Sequence, residues 1–388
     1  MKQVCDINKC TGCSACSQVC PEKCIKMLAD KRGHVISVVD EQSCINCGIC
    51  AKICPINNSP TFFYPKECYA AWAKNEDIRI SCSSGGISTL LSEYIVNSGG
   101  IVYGCASLKN LEFKHIRVDN IKDLELLKGS KYVYSNCEDS YKNIEKDLSN
   151  NKKVLFVGTP CQNAGILKYI GYNKNLYTIN LICHGVPSQQ MLKEYIRKKL
   201  KDEIKVKNIS FRNGNNFILK CDGYNFSNTV IPNMYLTLFL KGINYRPSCY
   251  NCTYAQENRI GDITLGDFWG IGKKEPFKKN IENGCNVIIV NTDKGLQLLN
   301  SCRTEIYLYQ REYDEAIAGN KQLQHHVYCG IYTKIFNKFY PLLSFNKAAF
   351  FSSFPMLLFE AIKNIIKKYA SQKVYEQIFK FYKRVNNK

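Results

Sequence analysis

Cys10-x2-Cys13-x2-Cys16-x3-Cys20-Pro21 recurs as Cys44-x2-Cys47-x2-Cys50-x3-Cys54-Pro55, and no other feature of the chain restricts its fold so tightly. Thiolates at this spacing are the ligand pattern of paired four-iron clusters. Three wrap one face of a cubane and the fourth reaches across to the other cluster. Cys10, Cys13, Cys16 and Cys54 are therefore assigned to one [4Fe-4S] cluster, and Cys44, Cys47, Cys50 and Cys20 to a second. Gly12 and Gly48 suit the tight turns, and Pro21 and Pro55 end each loop. Structural zinc is the competing reading, but zinc prefers two separated cysteine pairs to a triple. Cys5 and Cys24 fall outside the pattern and read as small buried residues.

Ten of the 22 cysteines lie in the first 54 residues of this 388-residue chain. A secreted disulfide scaffold would be short and would follow an apolar leader, whereas Met1–Asp6 contains no apolar run. Thiolates in a reducing, cytoplasmic compartment are expected instead. The formal charge is +20 with cysteines counted as neutral, and anionic clusters would lower it. The remaining excess suits an acidic redox partner, an anionic cofactor or contact with the inner face of a membrane. No nucleic acid partner is expected, because no nucleic-acid-binding signature is present. The longest apolar candidate, Ala348–Ile362, is too short to span a bilayer and contains Pro355 and Glu360.

Three regions are expected. Residues 1–60 form an α+β ferredoxin-like module in which Cys24–Met27 and His34–Val39 alternate as short strands do, and Asn57–Pro65 is a proline-punctuated linker. Residues 66–335 read as a larger α/β domain. There Ile87, Leu90, Leu91, Tyr94 and Ile95 have helical spacing ending at Gly99-Gly100, and Val154–Val157, Leu176–Ile182 and Val287–Val290 are strand candidates. No G-x-G-x-x-G follows a strand, so a dinucleotide-binding Rossmann unit is not expected. Residues 336–388 read as a basic helical tail with Leu357, Leu358, Ala361, Ile362, Ile365 and Ile366 on one stripe. Such a tail either packs on its own domain or touches an anionic membrane.

The larger region carries, in order, Ser83-Ser84-Gly85-Gly86, Gly129-Ser130-Lys131-Tyr132 and Val157-Gly158-Thr159-Pro160-Cys161-Gln162. Then come Cys183-His184-Gly185-Val186-Pro187-Ser188, Arg246-Pro247-Ser248-Cys249-Tyr250-Asn251-Cys252 and Gly261-Asp262-Ile263-Thr264-Leu265-Gly266-Asp267-Phe268-Trp269-Gly270. This ordered set resembles the beta-subunit family of coenzyme F420-reducing hydrogenases and dehydrogenases, with a fused N-terminal ferredoxin. The resemblance implies an FAD-binding flavoprotein and a third [4Fe-4S] cluster. Cys161, Cys183, Cys249 and Cys252 are its implied ligands, although dispersed cysteines are commonly buried hydrophobes and zinc also accepts four thiolates.

Ser84, Gly85, Gly86, Ser88 and Thr89 precede or open a helix and would receive the flavin pyrophosphate, where an ordinary N-cap is the alternative. Thr159, Pro160 and Gln162 follow an apolar strand, where ligands of open α/β sheets bind. Ser130 and Lys131 complete the implied cofactor set. Lys131, as a stabiliser of reduced flavin, and His184, as a proton donor, are the catalytic candidates; a surface lysine and a core or cap histidine are the plain alternatives.

The expected function is an iron–sulfur flavoprotein oxidoreductase passing electrons between a hydride-carrying small molecule, F420-like or other, and a ferredoxin or redox partner protein. A non-catalytic electron-transfer subunit and a polysaccharide-associated redox protein at the membrane surface are the alternatives.

Overall fold

The computed structural model describes residues 2–198, 200, 206, 208–226 and 233–369. Two short helices, α1 (Ala15–Val19) and α2 (Ile49–Ile53), each carry the third cysteine of a triple, and the hairpin β1 (Ile25–Ala29) and β2 (Val35–Val39) lies between them. Residues Gly12 and Gly48 have φ of 66° and 74°, the left-handed conformation glycine adopts without a Cβ penalty.

The chain then enters β3 (Glu67–Ala73), α3 (Glu76–Ser81), α4 (Ile87–Asn97), β4 (Ile101–Leu108), β5 (Glu112–Val118) and α5 (Ser140–Ser149). Next come β6 (Val154–Gly158), α6 (Pro160–Ile170), β7 (Leu176–Leu181) and α7 (Gln189–Arg197). A small meander of β8 (Ile209–Asn213), β9 (Asn216–Cys221) and β10 (Tyr224–Asn225) precedes α8 (Met234–Leu240). The remainder is β11 (Ile263–Asp267), β12 (Asn286–Val290), α9 (Asp293–Ser301), β13 (Ile306–Gln310), α10 (Tyr313–Gly319), α11 (Ile331–Phe339) and α12 (Phe345–Tyr369).

Eight strands build one mixed sheet in the order β13-β3-β12-β11-β7-β6-β4-β5. Its centre, β4-β6-β7-β11, is parallel, with Gly158 opposite Asn180 and Leu265 opposite Leu181. Strand β12 is buried at all five positions, which is why Val287–Val290 reads as an unbroken apolar run rather than an alternating one. Helix α4 lays Ile87, Leu90, Leu91 and Ile95 on one face of the sheet.

Two boundaries differ from the sequence expectation. The N-terminal module is not tethered by a free linker. Cys13 and Ala15 share a core with Tyr103, Tyr141, Phe156 and Ile166, and Phe63 exchanges backbone hydrogen bonds with Arg259. The segment after 335 is not a separate tail either. Phe336, Tyr340, Phe345, Ala348 and Ala349 complete an apolar cluster with Tyr195, Phe211 and Tyr235, and aromatic burial of this kind outweighs the basic residues around it. Residues 370–388 of the expected tail lie outside the described residues. No helix among the described residues is long and apolar enough to cross a membrane.

Candidate cluster and cofactor site

The parallel strands bring the sequence motifs to one edge of the sheet. Ser83–Gly86 follows α3 and returns to the end of β3, where the Gly85 carbonyl accepts from the Ala73 amide, Thr159–Gln162 follows β6, Cys183-His184 follows β7, and Asp267–Gly270 ends β11. The carboxyl edge of such a sheet is where open α/β folds place ligands.

In the N-terminal module the eight motif cysteines separate into two groups. The Cys5 thiol lies close enough to Cys10 and Cys54 to influence both, and Cys13 and Cys16 each lie close enough to the same two to interact electrostatically. The Cys5 contact is the main cause holding Cys10 down to about 5 and Cys54 down to about 7. Cys20, Cys44, Cys47 and Cys50 line an open cavity of about 350 Å³ together with Cys24, whose thiol is 3.4 Å from that of Cys20. The crossed grouping is the one a two-cluster ligand pattern requires. Cys5 and Cys24, read from sequence as filler, each touch two cysteines of one group. No spacing rule could have found them, because their role depends on which loops meet.

Cys161, Cys249 and Cys252 line a second open cavity, of about 630 Å³, with Thr159, Gln162, Tyr134 and Arg246. The Cys183 thiol is pushed up by burial and then by Cys249, Cys161 and Cys252, so all four converge. Burial likewise pushes Cys249 up to about 12 and Cys252 up to about 11. Four such thiols resist ionising together unless a cationic centre neutralises them. Cys13 also interacts electrostatically with Cys161, so this group adjoins the first one.

No set of three or more His, Cys, Asp or Glu side chains among the described residues is gathered tightly enough for a single metal ion. Ligands of a four-iron cubane each take a different iron at its corners and stand wider apart than the ligands of one ion.

Gly165 on α6 packs closely against the N-terminal module. A Cβ there would collide with the Tyr141 hydroxyl and lie 3.0 Å from the Cys13 Cβ. Tyr141 donates to the Cys13 carbonyl at 2.5 Å and Tyr134 to the Gly12 carbonyl at 2.8 Å. These two tyrosines and Arg246 carry contacts that sequence reading did not assign, although Arg246 stands inside a quoted motif.

The expected flavin residues are placed less uniformly. Ser84 Oγ is enclosed with no partner, beside Gly85 and the left-handed Gly86 (φ 82°) at the start of α4. That start lies beside the 129–131 loop, since the Ser130 amide donates to Ser83 Oγ at 2.8 Å. An orphaned hydroxyl at a helix start fits a phosphate, although the Ile87 amide already donates to Asn286 Oδ1 at 3.3 Å. Thr89 Oγ1 contacts the Cys82 thiol, and Ser88 gives its carbonyl to Ser92.

Lys131 Nζ donates to the carbonyls of Leu126, Leu127 and Lys128 at 3.4, 2.8 and 2.7 Å. Burial pulls its pKa below the ordinary lysine value, opposed by the nearby Cys105 thiol. Thr159 and Gln162 form a reciprocal capping box with Pro160 at the first turn of α6. Gln162 Nε2 also donates to the carbonyl and hydroxyl of Ser135 at 2.9 and 3.0 Å. His184 is exposed at the sheet edge. The protein mass behind its ring pulls its pKa below the ordinary histidine value, opposed by the Asp267 carboxylate. Replacing Gln162 with alanine removes the box and leaves buried groups unpaired. It should lower stability by about 2 kcal/mol in thermal unfolding. A change under about 0.5 kcal/mol would show that the 133–135 loop does not depend on it.

Residues 151–316 match the family described as the C terminus of the coenzyme F420 hydrogenase/dehydrogenase beta subunit. Residues 9–58 match the 4Fe-4S dicluster domain. No curated protein matches the chain. Among solved structures, the chain is similar to a component of the F420-reducing [NiFe] hydrogenase complex from Methanosarcina barkeri. That chain is 18% identical, the TM-score is 0.46, and the match covers 68% of this chain and 92% of that one.

Proposed function

We propose that this chain, a member of the coenzyme F420 hydrogenase/dehydrogenase beta-subunit family over residues 151–316 with a 4Fe-4S dicluster domain over residues 9–58, is an iron–sulfur flavoprotein oxidoreductase with a third cluster. The observation that carries the reading is the convergence of Cys161, Cys183, Cys249 and Cys252 at the sheet edge, with Cys161 within electrostatic reach of Cys13. Electrons would pass from the sheet edge through the third cluster to the dicluster module, and from there to a ferredoxin or partner protein. The cofactor supplies the conversion between a two-electron hydride and the single electrons that clusters carry.

Ser84, Gly85, Gly86, Ser88 and Thr89 would bind the phosphates of FAD at the start of α4, and Ser130 would hold that turn in place. Thr159, Pro160 and Gln162 would shape the wall between cofactor and third cluster. Lys131 would place positive charge behind the cofactor from its perch on three carbonyls, and the exposed His184 would hold a proton at the sheet edge. The substrate would be a hydride-carrying small molecule, with the deazaflavin F420 as one candidate.

A second reading is a flavin-free electron-transfer subunit. It draws on the internal engagement of the Lys131, Thr89, Thr159 and Gln162 side chains, each already holding a protein partner. Anaerobic purification followed by iron, sulfide and flavin analysis separates the two. About twelve irons and one FAD per chain is the expected result. About twelve irons with no flavin would replace the first reading by the second, and about eight would remove the third cluster from both.

A further inference from the structure

Arg246 is 1% exposed and carries a charge that no carboxylate among the described residues neutralises. A guanidinium cannot shed its proton to escape burial. Its Nη1 donates to the carbonyls of Cys10 and Val35 at 3.2 and 2.7 Å, and its carbon centre lies 4.9 Å from the centroid of the Tyr134 ring. Nε and Nη2 have no partner.

The neighbouring His34 offers no counter-charge. Both of its ring nitrogens are buried without partners, and burial together with Arg246 and Arg32 holds it neutral. Gly12 is what allows the approach. It takes φ +66°, and a Cβ there would lie 2.9 Å from Nη2 and 3.0 Å from Nη1.

The same guanidinium lines the cavity of Cys161, Cys249 and Cys252. It therefore stands between the loop of the first dicluster group and the third cysteine group, with two donors left over. A buried cation with spare donors is tolerated where an anion completes it. A four-iron cluster with four thiolates is anionic, and cluster potentials respond to local charge and hydrogen bonds.

We propose that Arg246 is the internal counter-charge shared by the Cys10/Cys13/Cys16/Cys54 cluster and the Cys161/Cys183/Cys249/Cys252 cluster, and that it raises the reduction potential of both. Each reduction adds one negative charge to a cluster, and a fixed cation beside it stabilises the reduced form. The Cys20/Cys44/Cys47/Cys50 cluster, outside this cavity, is the internal control. The part of Arg246 at the third cluster rests on the reading in Proposed function.

The test is EPR-monitored potentiometric titration of the full chain, purified anaerobically, as wild type and as Arg246→Met. Signals are assigned by their loss in Cys16→Ser, Cys50→Ser and Cys249→Ser. The expected result is a fall of about 59 mV or more in the first and third midpoints, a tenfold shift in a one-electron equilibrium, with the second unchanged. Arg246→Lys, which keeps the charge without the fork, should give a smaller fall.

Unchanged midpoints in a variant holding its full iron overturn the proposal. An equal fall at all three clusters also overturns it, because that reports a general loosening. If the wild type holds only about eight irons, the third-cluster reading fails separately, and the first midpoint alone decides the role of Arg246. Should Arg246→Met lose iron, Arg246→Gln, which retains donors for the two carbonyls, is titrated for the same shift.

Discussion

Replacing Cys54 with serine should remove about four irons per chain and extinguish the same EPR signal as replacing Cys13 or Cys16. Replacing Cys20 should extinguish the other dicluster signal, together with Cys44, Cys47 and Cys50. The pairing runs against sequence proximity, since Cys54 follows Cys50 in one run and Cys20 follows Cys16 in the other. It follows from the way the loops meet. Cys5 lies within interaction range of both Cys10 and Cys54, whereas Cys20 shares a cavity with Cys44, Cys47 and Cys50. Serine keeps the volume but is a poor iron ligand, so the loss reads ligation rather than packing. Iron analysis with low-temperature EPR is the measurement. If Cys54→Ser silenced the signal lost in Cys50→Ser, the crossed assignment would be wrong.

Asp262→Ala should destabilise the sheet domain by about 3 kcal/mol, without touching any cysteine. The carboxylate is buried where β7 and β11 run in parallel. It accepts from the Thr178 amide at 2.9 Å, the Thr178 hydroxyl at 3.0 Å and the Thr292 hydroxyl at 2.7 Å, with Lys294 Nζ at 3.4 Å. Each abandoned donor costs about 1–3 kcal/mol when buried, and the losses overlap because the groups share one acceptor. Asp262→Asn, which retains one acceptor oxygen, should cost roughly half as much. Thermal unfolding under anaerobic conditions gives the comparison. A loss below about 1 kcal/mol for the alanine variant would show that this junction relaxes or admits water.

What the chain's order of residues determined by itself is everything that depends on neighbours a few positions apart. Cysteine spacing placed eight thiols in two loops, and hydrophobic period located β6, β7, β12 and α4. Thr159, Pro160 and Gln162 were read from sequence as cofactor contacts after a strand, and the structure closes them into the capping box that starts α6. The motifs after the strand ends were likewise readable as an edge of a sheet, since strand direction carries them there.

Tertiary structure alone decided what those pieces meet. Arg246 reaches the Cys10 carbonyl across 236 positions, so no local pattern revealed its burial or its missing counter-charge. Lys131 looked free in the sequence and instead spends its donors on three carbonyls. Cys5 looked inert and instead joins Cys10 to Cys54. The residues after 335 read as a helical tail that either packs on its own domain or touches a membrane, and Phe336 and Phe345 fill the core beside α7 and α8. Each outcome turns on burial and partner supply, which are properties of the assembled fold. A side chain's type sets the cost of leaving it unpaired, but only packing determines whether a partner is there.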